Sequence, residues 1–460
     1  MIGVFSLAEA AQVMGAEAFD LNGTFSGVST DSRSLERGDL FVALRGEHFD
    51  GHRFLAQARD AGALAAVVDA VDEQVELPQL KVNDTLAGLS ALAAANRDRS
   101  QAAFVAVTGS SGKTTVKEML AAILVKRAST LATRGNLNNH IGVPLTLLSI
   151  ADEHRYAVVE HGASGVGEIA QTVALTRPDV AIITNAAEAH LEGFGSYDNI
   201  VLAKGELIDG VAANGAVVLN RDDPAFPVWC KRAGERQVIS VSARADSGAT
   251  YRLQSLEPSG NGLRLEVAGP DGWTGTFELP LPGEHNALNA MLALAATRVL
   301  GIADSEIAQG LQGMSPVKGR LSQMDIGNGI TLIDDSYNAN PSSIKAALKV
   351  LAGFPGTRIA VLGAMAELGE ASERLHRDVG EVAAALGIEK LVVVGEGCEG
   401  YLAGFGVGGE ACADHAAAVS YVMQQKSGPI TVLVKGSRSS AMERVAEGLK
   451  EKVNDSCCSG

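Results

Sequence analysis

Cysteine is scarce and poorly spaced for bonding. Cys230, Cys398, Cys412, Cys457 and Cys458 form an odd set with no C-x-x-C pair. That is neither a disulfide framework nor a zinc site, and a reducing cytoplasm is expected. An excess of basic charge is also missing: 38 Lys and Arg stand against 54 Asp and Glu, a net charge of −16. This argues against nucleic-acid binding through a general field, although a local cluster can still hold a phosphate. Apolar runs are short or interrupted, so no membrane insertion is expected. The start, Met1-Ile2-Gly3-Val4-Phe5-Ser6, lacks a basic region and a long apolar stretch, so no signal peptide is expected. Internal repeats and low-complexity tracts are absent too.

At 460 residues the chain is too long for one core, and length suggests about three domains. Its 46% hydrophobic and 20% charged content suits an α/β protein. The organising stretch is Phe104-Val105-Ala106-Val107-Thr108-Gly109-Ser110-Ser111-Gly112-Lys113-Thr114-Thr115. An apolar strand, a turn of small residues and the start of a helix follow one another, as a phosphate-binding loop requires. Glycines let backbone N–H groups close around phosphate oxygens, and the helix N-terminus adds partial positive charge. Lys113 is expected to reach the terminal phosphates and the Thr114 hydroxyl a Mg²⁺ ion. The longer pattern places a glycine where Val107 stands, so the loop is the shorter G-x-x-G-K-T-T form.

The first 82 residues read as a small α/β unit, with helices over 7–14 and 54–61 and strands over 40–44 and 65–68. Two polar, glycine-bearing runs, Ser29-Thr30-Asp31-Ser32-Arg33 and Arg45 to His52 (through Glu47 and His48), are solvated turns or hold an anionic ligand. A helix over 84–97 leads into a central region, 83–315, whose alternating strands and helices imply a mostly parallel sheet. Ligands bind at the carboxyl ends of such strands. There stand Glu160, followed by His161-Gly162-Ala163, and, after the strand over 180–184, His190. These are structural residues or part of a metal and phosphate site on the rim of Lys113 and Thr114.

On the helix over 198–211, Lys204 lies midway between Ile200 and Ile208, on the apolar stripe. Either it snorkels to solvent, or burial lowers its pKa and leaves a nucleophilic amine. Asn286 and Asn289 share a helix face and can present donor and acceptor to an adenine edge; helix capping by Asn286 is the plainer reading. Beyond a turn at 315–320, residues 316–460 alternate again as a Rossmann-like domain with strands over 330–334, 358–362, 390–394 and 430–434. No G-x-G-x-x-G follows its first strand, so a nicotinamide cofactor is unsupported. Its strand ends, Asp335 to Pro341, Gly363 to Gly369 and Lys435 to Arg438, are expected to face a cleft shared with the central domain. The tail 455–460 is expected to be disordered.

The chain resembles the Mur ligases over nearly its whole length. The carrying motifs are Thr108 to Thr115, Gly135-Asn136-Leu137-Asn138-Asn139-His140-Ile141-Gly142-Val143-Pro144, Glu160, Ala189-His190, Ala203-Lys204-Gly205-Glu206 and Gly283 to Ala290. Within that family, Asp334-Asp335-Ser336-Tyr337-Asn338-Ala339-Asn340-Pro341-Ser342, with Met365-Ala366-Glu367-Leu368-Gly369, is similar to the member that adds D-alanyl-D-alanine to UDP-N-acetylmuramoyl-tripeptide. The resemblance implies an N-terminal UDP-sugar domain, a central P-loop ATPase and a C-terminal domain that closes over nucleotide and amine. It implies ATP, two Mg²⁺ and a CO₂-derived carbamate on Lys204, which would replace an unfavourable buried cation by an anion. Gly109, Ser110, Ser111, Gly112, Lys113, Thr114 and Thr115 would hold phosphates, and Thr114, Glu160, His190 and Lys204 the metal ions. Lys113, Glu160, His190 and Lys204 would thus be the catalytic set. Asn286 and Asn289 would contact adenine, Asp335 ribose and Arg320 a phosphate. Ser29, Thr30, Asp31, Arg33, Arg45, Asn138 and Asn338 would bind substrate. A cytoplasmic monomer is expected.

The implied chemistry is ATP-dependent phosphorylation of a carboxylate, then attack of an amine on the acyl phosphate. Rivals within the fold add a diamino acid to the UDP-dipeptide or glutamate to a folate; Tyr337 to Pro341 weighs against both. A regulatory nucleotide switch is the reading from another class. It gives no reason for the position of Lys204.

Overall fold

The computed structural model describes residues 1–17, 22–46, 49–425 and 428–458. Three parallel-rich sheets carry the architecture, as the α/β reading expects. The first has four parallel strands in the order Val28–Ser29, Leu40–Val42, Ala65–Val68 and Gln79–Lys81. Helix Thr85–Arg99 follows it, begun by Asp84, whose carboxylate accepts from the backbone N–H groups of Leu86 and Ala87. Leu89 and Leu92 of that helix share one apolar core with Leu40, Val67 and Leu80, and also with Phe104 and Leu147 of the central region. The N-terminal unit is therefore packed onto the central one through continuous apolar contacts.

The central sheet has nine strands, with Ala103–Thr108 between Tyr156–Glu160 and Val180–Ile183. Phe104, Val105, Ala106 and Val107 have no exposed surface, which is why the run is continuously apolar rather than alternating. Val105 and Val107 face one core, shared with Val116, Met119, Leu120, Ile123 and Leu124 of helix Lys113–Leu124. This i, i+3, i+4, i+7, i+8 spacing seats the helix directly behind the loop. The chain leaves Ala103–Thr108 toward one side of the sheet and later returns to the other. This strand order makes a topological switch point at the end of the phosphate-loop strand. Parallel register sets Glu160 beside Val107 and Ile183 beside Thr108.

The third sheet has six strands, with Ile330–Asp335, Ile430–Lys435, Thr357–Gly363, Lys390–Val394 and Gly409–Cys412 parallel and Ser322–Gly327 antiparallel at one edge. This is the Rossmann-like layout expected. The tail departs from expectation: helix Glu443–Cys458 continues through residues 455–458, because Val445, Ala446, Leu449 and Val453 bury one face against the sheet. Residues 459–460 lie outside the described residues. Among the described residues no helix is long and apolar enough to cross a membrane.

Candidate active site

Val107 is a fully buried strand residue, so the loop proper begins at Gly109, two residues later than in the longer pattern. Gly109 has φ +149°, and a Cβ there would lie 1.9 Å from Thr184 Oγ1; Gly112 has φ +79°, and a Cβ would meet Asn289 Oδ1 at 2.7 Å. Only glycine fits either position. Residues downstream of Val180–Ile183 lace the loop in place. Thr184 Oγ1 donates to Ser111 O (2.6 Å), Ser111 N donates to Asn185 Oδ1 (3.0 Å), and Ser110 Oγ donates to Ala187 O (3.1 Å). No side chain caps the helix that starts at Lys113, which leaves its first N–H groups for an anion. Lys113 Nζ donates to Gly109 O at 2.6 Å. Burial pushes this lysine below its ordinary pKa, Glu160 opposes that shift, and Arg320 adds to it.

Glu160 is 2% exposed. Its Oε1 accepts from Asn138 Nδ2 (2.8 Å) and Thr114 Oγ1 (3.3 Å), whereas its Oε2 is buried with no hydrogen-bond partner. An orphaned carboxylate oxygen beside a hydroxyl is an unfavourable arrangement unless a cation completes it. Hard oxygen donors beside a phosphate loop suit Mg²⁺. The residues present therefore fit one Mg²⁺ at Thr114 and Glu160. His161 is no part of this site: its ring is buried between the hydroxyls of Thr172 and Thr176, and burial pushes it down to about 3, so it is a neutral structural residue.

Of the four-residue metal set, Thr114, Glu160 and His190 come to one cavity and Lys204 stays outside it. His190 lines the same cavity as Lys113 and Glu160, but its Nδ1 is hydrogen-bonded to Glu367 of the third domain. Lys204 is buried, as its stripe position predicts, yet it is not among the residues lining the cavity. Its Nζ stands 5.0 Å from the centroid of the buried Phe194 ring. Burial first, and the charge of Lys113 second, lower its pKa to about 7 against the pull of Glu168 and Glu206. Lys204 lies behind the wall, so the residues that face the cavity do not complete a second Mg²⁺ site in this arrangement.

The main cavity, about 660 Å³, is lined by Ser110 to Thr115, Asn138, Glu160 and His190 from the central domain. Arg320, Tyr337, Asn338, Asn340, Glu367 and Arg438 line it from the other side. All three strand ends of the third domain thus face it. Asn340 Nδ2 donates to Ser110 O at 3.4 Å across the boundary. The Tyr337 ring lies under two guanidinium groups, with Arg320 4.3 Å and Arg438 5.9 Å from its centroid.

A second cavity of about 310 Å³ adjoins the loop and holds Asn286, Asn289, Arg320 and Asp335 together with Leu281, His285 and Leu288. Asn286 is not the helix cap, a position held by Gly283. It donates to Pro282 O at 2.7 Å and accepts from Asn289 Nδ2 at 3.3 Å. Asp335 is already engaged, accepting from Lys435 Nζ at 2.5 Å and Leu321 N at 3.1 Å. Sequence reasoning assigned no role to His285, which burial holds down at about 4 and therefore neutral.

A third cavity, about 440 Å³, lies in the N-terminal unit and gathers Thr30, Asp31 and Arg33. The Arg33 guanidinium holds the Asp31 carboxyl down at about 2. Ser29 sits behind the wall, its Oγ bonded to the backbone O of Asp31. Arg45 does not join them. Asp69 (2.8 Å) and Asp50 (3.3 Å) occupy its guanidinium, and Glu47 and His48 lie outside the described residues. The missed elements are Phe49 and Phe54, stacked at 5.6 Å between centroids on this cavity; their spacing in a glycine-bearing turn was the available signal.

Comparison with known proteins gives one consistent picture. Residues 24–97 match the "Mur ligase family, catalytic domain", residues 107–297 the "Mur ligase middle domain" and residues 319–438 the "Mur ligase, glutamate ligase domain". The UDP-N-acetylmuramoyl-tripeptide–D-alanyl-D-alanine ligase of Escherichia coli K12 is 43% identical over 99% of this chain and all of its own length. The crystal structure of MurF from Acinetobacter baumannii matches with a TM-score of 0.92 at 35% identity, over 98% of this chain and 99% of its own. That of MurF ligase from Thermotoga maritima in complex with ADP matches at 0.83 and 28%, over 93% and 98%.

Proposed function

Because the chain belongs to the Mur ligase family, we propose that it joins D-alanyl-D-alanine to UDP-N-acetylmuramoyl-tripeptide in an ATP-driven ligation. The product is the UDP-linked pentapeptide of peptidoglycan synthesis. One observation carries the reaction class: a phosphate loop, the free Oε2 of Glu160 and three loops of the third domain line a single cavity. Full-length likeness to the ligase of that name supports the two substrates.

The backbone amides of Gly109 to Gly112 and the start of the following helix receive the phosphates. Lys113 leaves the Gly109 carbonyl for the β- and γ-phosphates, and Arg320 spreads the charge of the transferring group. Thr114 and Glu160 hold Mg²⁺, which supplies a Lewis acid for the phosphoryl oxygens. The terminal carboxylate of the tripeptide attacks the γ-phosphorus and ADP departs. The free amine of D-alanyl-D-alanine then attacks the acyl carbonyl, gives up its proton, and phosphate leaves as the amide forms. Docking of the third domain excludes the water that would hydrolyse the acyl phosphate.

Asn286 and Asn289 meet the adenine edge, and Asp335 the ribose. Thr30, Asp31 and Arg33 meet the UDP-sugar, for whose base the Phe49–Phe54 pair offers a flat face; Ser29 supports that turn. Asn138 and Asn338 contact substrate in the main cavity. Lys204, whose lowered pKa leaves a substantial neutral fraction at pH near 7, adds to CO₂ with loss of a proton; mass measurement of the intact protein would find one added CO₂. The working units are residues 1–82 for the UDP-sugar, 83–315 for ATP and 316–460 for closure. The enzyme acts as a cytoplasmic monomer.

ADP release should require both the UDP-tripeptide and the dipeptide. A coupled ADP assay that finds equal hydrolysis without either acceptor overturns the ligase reading. Equal turnover with a diamino acid or glutamate in place of the dipeptide would move the chain to another member of the fold.

A further inference from the structure

The third-domain loop that reaches the main cavity has an unusually fixed root. His376, 1% exposed, accepts from Met365 N through Nε2 (3.0 Å) while its Nδ1 bonds Ser372 O (2.7 Å). Tyr401 donates its hydroxyl to Gly363 O at 3.3 Å and packs edge-on against the His376 ring. A Cβ at Gly363 would lie 2.7 Å from Ser440 Oγ, so the chain passes there without a side chain. Two residues beyond Met365 comes Glu367, with φ +59°, a left-handed conformation that side-chain-bearing residues rarely adopt.

Across the domain boundary stands a second such residue, His190, with φ +54°. The two meet. His190 Nδ1 is hydrogen-bonded to Glu367 Oε2, and Glu192 N donates to Glu367 O at 3.1 Å. Arg374 pairs with Glu188 across the same boundary at 3.7 Å. Both His190 and Glu367 line the main cavity. Two unfavourable backbone conformations facing each other at a reaction cavity are the kind of feature that folds keep for function. With Nδ1 held by the carboxylate, Nε2 is the ring nitrogen left for the cavity, and the ring cannot turn without losing the bond.

We propose that Glu367 is a positioning residue that acts through His190: docking of the third domain delivers the carboxylate that orients the imidazole, so the rim of the ATP site is complete only in the closed enzyme. The proposal rests on the ligase reading of the cavity. It assigns Glu367 no contact with the reacting atoms. It predicts that closure and chemistry are coupled through one hydrogen bond rather than through general packing.

Two variants test it in the full chain. Glu367→Gly keeps the left-handed backbone and removes the acceptor, and Glu367→Gln keeps an acceptor oxygen. E367G should lower kcat for pentapeptide formation about ten- to a hundred-fold, the usual effect of losing such an orienting partner. KM for ATP should be unchanged, as should the melting temperature, and the ratio of ADP formed to amide formed should rise above that of the native enzyme. E367Q should recover most of the rate and the native ratio. Native kcat and native ratio in E367G overturn the proposal, and so does an E367Q variant as impaired as E367G. If the native chain itself forms no pentapeptide, the ligase reading fails instead, before either variant is compared.

Discussion

Lys435 of the third domain and Lys204 of the central domain are equally hidden from water, each 2% exposed, yet their surroundings are opposite. Lys435 Nζ donates to Asp335 Oδ2 at 2.5 Å and to Asn338 O at 2.9 Å. Burial lowers its pKa, and Asp335 pulls it back up. Lys204 has an aromatic face 5.0 Å away and a second cation, Lys113, adding to its burial penalty. One lysine is a cation with its counter-charge built in. The other is an amine for which the charged form is unfavourable. Burial alone therefore says nothing about role; the partner decides it. A matched pair holds loops together, and an unmatched group is available for chemistry.

Removing one member of the matched pair should have the largest effect on stability. Lys435→Met leaves Asp335 buried and uncompensated, and should cost about 3–5 kcal/mol in urea unfolding of the third domain. The double variant with Asp335→Asn should recover part of that loss. A K435M protein as stable as native would dissolve the comparison. Lys117 supplies an intermediate case. It is 1% exposed, and its Nζ donates to Thr133 O at 2.8 Å and pairs with Glu118 at 2.8 Å. Glu118 is 38% exposed, so water can take over its charge. Lys117→Met should cost only the orphaned Thr133 carbonyl, about 1–3 kcal/mol in the same measurement. A loss equal to that of K435M would show that burial, not pairing, sets the scale.

Much of this was legible from local pattern. Strands Tyr156–Glu160 and Lys390–Val394 and helix Leu7–Met14 fall where the apolar spacing puts them, because each element's own residues determine which face is buried. The phosphate loop was legible for the same reason: Gly109 and Gly112 are demanded by the backbone they sit in. What escaped depends on residues far apart in the chain. Arg45 read as a substrate contact, and Asp69, 24 residues on, occupies it. His190 read as a metal ligand, and its partner Glu367 is 177 residues away. The stripe position of Lys204 foretold burial but not the Phe194 ring beside its Nζ or its absence from the cavity wall. Pairings of this kind are fixed by how sheets and domains dock, which no short window records.

Lys204 should show the smallest effect on stability and the clearest separation of stability from function. Met fills a similar volume on an apolar stripe, and Lys204→Met removes a buried amine whose charged form is unfavourable, so stability at neutral pH should be unchanged or raised. The pH dependence has a definite sign. Between about pH 7, where the folded chain releases this proton, and the ordinary 10.5, the unfolded chain still holds it. Unfolding free energy therefore gains a contribution that rises with pH across this window, and below it both states are protonated and the contribution is flat. Subtracting the K204M profile from the native one should isolate that slope. If Lys204 works as a carbamate, ligation by K204M should fall roughly ten- to a hundred-fold. CO₂-depleted buffer should slow the native enzyme and leave the variant untouched. A K204M enzyme that is stable, flat in the difference profile and fully active would make Lys204 an ordinary buried residue, leaving Lys435 and Lys204 distinguished by stability alone.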